Sequence, residues 1–114
     1  MDKEEILKLW KNVFWSISHP TRLAILTLLY GYDEKSLPPN SLYFSDLKKG
    51  LKIEKSELVY HLKLLQKAGL ITNMYPPGER RKNRYSVYRL TSKGINILES
   101  LKIPKMLERY ARAH

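Results

Sequence analysis

The chain has no cysteine. Structural disulfides, thiolate zinc sites and thiol chemistry are excluded together, and the redox character of the compartment leaves no trace in the sequence. Long apolar runs are also missing, since nothing approaches the ~18 residues of a membrane span. The opening "MDKEEILKLW" lacks both the basic start and the small-residue cleavage site of a signal peptide, so an intracellular, cytoplasmic protein is expected. There is no Gly-rich phosphate loop, no G-x-S-x-G elbow and no convincing acid/base constellation, which argues against an enzyme and against a cofactor. The three histidines, His19, His61 and His114, are scattered without a second ligand at metal spacing, so no metal site is expected. Acid is scarce as well: 21 Lys and Arg face 11 Asp and Glu, a net charge of +10 over 114 residues. That surplus favours a polyanionic partner, most commonly nucleic acid, provided the charge is concentrated in one place.

What is present reads as one domain, 1–114, mainly helical with a small β-hairpin. Asp2 is placed to cap a helix whose Ile6, Leu9, Trp10, Val13, Phe14 and Ile17 recur at helical spacing and which ends near Ser18. Pro20 suits a first helical position, and "TRLAILTLLY" is apolar almost all round, which predicts a central helix ending at Gly31. "GYDEKSLPPNSLY" has the composition of a loop. In "FSDLKKGL" Ser45 is a good cap for a short helix, and a second helix runs from about Lys55 to Ala68, with Gly69 where a left-handed stop is common. Two helices joined by a tight turn over 45–68 form a helix-turn-helix. "LITNMY" and "RYSVYRL" then flank the charged turn "PPGERRKN" as a hairpin over 70–90, and Thr91 caps a last helix that Pro104 interrupts.

The second helix of the pair has two faces. Leu58, Leu62 and Leu65 fall on one side, whereas Ser56, Tyr60, Lys63 and Lys67 form a stripe on the other, a hydroxyl, a phenol and two cations. A face made only for water does not require a tyrosine. The arrangement suits a recognition helix that puts side chains on base edges in the major groove and lysines on phosphates.

"SHPTRLAILTLL", "FSDLKKGLKIEKSELVYHLKLLQKAGLI" and "RYSVYRLTSKG" occur in the order found in ArsR-like winged helix-turn-helix transcription regulators, and residues 18–101 resemble that family. The resemblance implies a three-helix core with a β-wing, a homodimer formed through the terminal helices (1–18 and 92–113), and a palindromic double-stranded DNA operator. On the family's pattern Lys55, Ser56, Glu57, Tyr60 and Lys63 match DNA-facing positions, and His61 matches a frequent histidine that is buried or touches phosphate. Where the family often has a Ser or Thr cap, this chain has Glu54.

Two further basic clusters accompany that helix. Arg80, Arg81, Lys82 and Arg84 stand against Glu79 at the hairpin tip, suited to phosphates or a minor groove, and Lys48, Lys49 and Lys52 precede the recognition helix. A basic tip that merely aids solubility is the alternative for the first cluster. Trp10, Phe14, Leu98, Leu101 and Met106 belong to an apolar surplus in the terminal helices, either additional core or, as favoured here, a symmetric dimer interface. The expected function is a sequence-specific homodimeric regulator, with repression as the expected sign. The alternatives are a DNA-coating or architectural protein, favoured by the +10 charge, and a winged helix used for protein contacts.

Overall fold

A helix that is apolar on every side has to be surrounded, and the second helix is. The structure, a computed structural model, describes residues 2–31, 36–74 and 86–102, apart from the side chains of Leu9, Trp10 and Asn12. Its elements are α1 (Lys3–Ser18), α2 (Pro20–Gly31), β1 (Ser41–Tyr43), α3 (Phe44–Leu51), α4 (Lys55–Lys67), β2 (Ile71–Asn73), β3 (Val87–Leu90) and α5 (Ser92–Ser100). α2 packs against all four other helices and against β1 and β3. Its Ile25, Leu26 and Leu29 lie in a core completed by Leu47, Leu58, Leu62, Leu65, Leu70, Leu90 and Leu98.

Local chemistry sets the boundaries of most elements. The Asp2 carboxylate accepts the Glu5 N–H at 2.8 Å to start α1, and Pro20 opens α2 as its first residue. α4 ends in paired bonds, Gly69 N–H to Gln66 O at 2.9 Å and Leu70 N–H to Leu65 O at 3.0 Å. This closure needs a left-handed residue, and Gly69 supplies it at φ 78°. Both Leu65 and Leu70 then enter the core, so the stop also directs the chain inward.

The sheet is antiparallel with order β1-β3-β2, pairing Leu42 with Tyr88 and Thr72 with Arg89. The expected hairpin is therefore joined by a third strand from a stretch read as loop. β1 runs directly into α3, and this changes the start of that helix. α3 begins at Phe44, one residue before the expected cap Ser45, after Tyr43 and without a side-chain cap bond. Phe44 is buried and its N–H donates to Ser86 O at 2.8 Å, so the sheet fixes the helix start instead. No described helix is long and apolar enough to cross a membrane.

Candidate nucleic-acid interface

α3 stops at Lys52, which adopts the left-handed conformation (φ 54°) and returns its N–H to Lys48 O at 2.9 Å. The turn leads through Glu54, which makes no side-chain cap bond, into α4. Leu58, Leu62 and Leu65 are fully buried and fix the rotation of α4 about its axis. That rotation leaves Lys55, Ser56, Glu57, Tyr60, Lys63 and Lys67 exposed. Tyr60 keeps 48% of its surface open, although burying an aromatic ring is ordinarily favourable. Lys48, Lys49 and Lys52 are exposed at the end of α3. The basic tip residues Arg80, Arg81, Lys82 and Arg84 lie outside the described residues.

His61 does not join the exposed face. Only 5% of it is accessible, and its Nδ1 lies 3.2 Å from Nη1 of Arg22, so of the two expected roles, buried or touching phosphate, the ring takes the buried one. A helical wheel puts residue 61 at the boundary of the apolar face, and Arg22 makes the inward choice tolerable by giving the ring a polar partner. Arg22, 4% exposed, was not singled out from the sequence. Its one signal is a lone cation inside an otherwise apolar helical run. Its Nε donates to Ser16 O at 2.6 Å, its Nη2 to Trp15 O at 3.0 Å, and its guanidinium carbon lies 4.7 Å from the Trp15 ring centroid. α1 has no basic residue in its last turn, so Arg22 supplies from α2 the positive charge that its carbonyl end attracts.

Burial holds the pKa of His61 below the ordinary histidine value, helped by His19 and Arg22 and opposed by Glu57. The His19 ring centroid is 4.6 Å away, and Glu57 Oε1 is 3.8 Å from His61 Nε2. Among the described residues no group of three or more His, Asp or Glu side chains converges to hold a metal ion.

The apolar surplus divides. Leu98 is 1% exposed inside the core of the single chain, which removes it from the expected dimer interface because α5 spends that face on α2 and the sheet. Phe14 and Leu101 remain exposed, beside Ile6, Leu7 and Trp15. The side chain of Trp10 and all of Met106 lie outside the described residues.

Residues 17–73 match the family model described as a helix-turn-helix domain. The uncharacterized HTH-type transcriptional regulator YdgJ of Bacillus subtilis (strain 168) is 36% identical over 85 residues, 75% of this chain. The chain belongs to the helix-turn-helix domain family. The chain spans 46% of the length of YdgJ. Its fold is shared with HlyU from Vibrio cholerae N16961 (TM-score 0.64, 22% identity, 89% of this chain and 94% of that one). It is shared also with the transcriptional repressor BigR from Xylella fastidiosa (TM-score 0.59, 23% identity, 89% and 93%). An ArsR-like transcriptional regulator from Rhodococcus sp. RHA1 is similar as well (TM-score 0.60, 24% identity, 96% and 92%). The fold is thus that of the winged helix-turn-helix proteins, and YdgJ, BigR and the Rhodococcus protein are themselves named as transcriptional regulators or repressors.

Proposed function

We propose that the chain is a sequence-specific double-stranded DNA-binding regulator that acts as a homodimer and represses its target. The observation that carries this reading is the exposed face of α4, where Ser56, Glu57 and Tyr60 stand beside Lys55, Lys63 and Lys67 while three leucines pin the opposite face in the core. Residues near the start of such a helix reach base edges in the major groove, and the lysines meet phosphates. Lys48, Lys49 and Lys52 extend the cationic surface along the flanking backbone, and the basic tip of residues 80–84 suits a neighbouring groove. Exposed Leu7, Phe14 and Leu101 support pairing of two chains through the terminal helices. The name of BigR as a repressor supports the sign.

The net charge of +10 favours a second reading, in which the chain coats DNA without regard to sequence. Binding to DNA from its own upstream region, compared with random duplex at one physiological salt concentration, separates the two. A specific site should be held about a thousandfold or more tightly than random DNA. Equal affinities would leave only the coating reading.

A further inference from the structure

The Arg22 guanidinium is almost fully buried, and all of its N–H groups are donors with no capacity to accept. Two of its nitrogens bond the last carbonyls of α1, and the third faces Nδ1 of His61 on α4. That last bond exists only if His61 Nδ1 carries no proton, which places the ring proton on Nε2, toward Glu57. The ring sits directly behind the reading face. His61 follows Tyr60, their ring centroids are 5.2 Å apart, and Glu57 is one turn away.

We propose that Arg22 is a positioning residue for base reading: it ties the carbonyl end of α1 to the recognition helix through His61, and only a neutral His61 accepts the tie. The inference rests on α4 being the DNA-reading helix. Among the described residues, the titratable and charged groups that face His61 are His19 at the α1–α2 junction, Arg22 from α2, and Glu57 and Tyr60 from α4 itself. Protonating His61 puts N–H against N–H at the Arg22 contact and two positive charges side by side where both groups are largely buried. The bond is lost, the ring is repelled, and the face carrying Glu57 and Tyr60 loses its reference to α1. Glu57 is then drawn to the new imidazolium, away from the groove. Acid therefore lowers discrimination between sequences, although it adds positive charge and strengthens attachment to any DNA. The quantity to read is the ratio of specific to random binding.

The test uses the full chain, its selected preferred duplex and a random duplex, at fixed salt, at about pH 8 and at the acidic pH where the ring ¹⁵N shifts show His61 protonated. Three proteins are compared: the wild type, His61→Gln, whose amide oxygen can accept from Arg22 without titrating, and His61→Leu, which cannot accept. Circular dichroism confirms folding, and ¹⁵N ring shifts report the His61 tautomer without DNA. The wild-type ratio should fall about tenfold on acidification, the equivalent of one charge-assisted hydrogen bond. His61→Gln should hold a high ratio at both pH values, and His61→Leu a low one at both. The wild-type ring should show the Nε2–H tautomer at pH 8. An Nδ1–H tautomer, a wild-type ratio unchanged once the ¹⁵N shifts show His61 protonated, or a wild-type ratio in folded His61→Leu would each overturn the tie. A wild type with no preference for any duplex at pH 8 would instead overturn the DNA-reading assignment, and the inference with it.

Discussion

Two residues three positions apart on the same exposed face of α4 should behave differently. Tyr60 offers a phenol that can address a base edge, whereas Lys63 offers a point charge suited to phosphate. Replacing Tyr60 by alanine should cost about 1–3 kcal/mol on the preferred duplex and much less on random DNA. Lys63→Ala should weaken both by similar factors, because a phosphate contact does not depend on the base beside it. Equal losses on both duplexes for a folded Tyr60→Ala would end the case for base reading by this helix. His61 carries a residue-scale prediction about stability. Its folded-state pKa lies below the ordinary value of 6.5, so between those two values the unfolded chain binds more protons than the folded one. Stability then rises with pH across that window, and the His61 contribution is complete above it and lost below it. Urea midpoints at pH 7.5 and about pH 5.5 should accordingly drop further for the wild type than for His61→Gln. Parallel drops would place the responsible group elsewhere.

At the scale of elements, α4 is held at its C-terminal end by a neighbour. The start of α5 grips its C-terminal end: Thr91 Oγ1 donates to Gly69 O at 2.6 Å, and Lys93 Nζ to Ala68 O at 2.9 Å. Gly94 lies so close that a Cβ there would collide with the backbone oxygen of Leu70. That oxygen also accepts the Thr91 N–H at 3.1 Å, so it cannot retreat without cost. Gly94→Ala should therefore destabilise the fold by about 1–3 kcal/mol or more, in a helix where alanine is otherwise the better former. An unchanged urea midpoint would refute the collision. Four of the five described helices were legible from their own punctuation, with Asp2, Pro20, Gly69 and Thr91 standing where the structure uses them, whereas the expected cap of α3, Ser45, is not used. β1 was not legible. Ser41–Tyr43 sits after two prolines and an asparagine, and it is a strand only because β3, far along the chain, pairs with it. The exposed stripe of α4 could be read from spacing, but spacing cannot say that a boundary histidine will find an arginine from another helix. Nor could the period of α5 tell whether Leu98 faces its own core or a second chain.

For the molecule as a whole, the separation of core from surplus apolar surface gives a test of assembly. Leu98→Ala should lower the unfolding free energy by about 2–5 kcal/mol through the cavity it leaves in a single chain. Leu7→Glu, on the exposed side of α1, should leave that free energy nearly unchanged yet convert a dimer into a monomer in sedimentation at micromolar protein. A wild type that sediments as a monomer at every concentration would remove the dimer. With two chains, the recognition helices should lie about one DNA turn apart, roughly 34 Å. The tip residues enter through their charge. Neutralising Arg80 and Arg81 together should flatten the log-log salt dependence of binding by up to about two phosphate equivalents. An unchanged slope would mean that neither arginine displaces counterions from the duplex. The strand order β1-β3-β2 has a consequence for how the protein is made. The strand in the middle of the sheet is the last to leave the ribosome, so β1 and β2 wait for a partner that does not yet exist. A nascent chain stopped at Met74 would contain every residue of the reading helix but neither β3 nor α5, and Leu42, Leu70 and Ile71 would lack the Leu90 and Leu98 that share their core. The exposed face of α4 should thus be presented only once Leu98 has been added, and a chain truncated at Met74 is expected to carry that sequence without a folded core behind it.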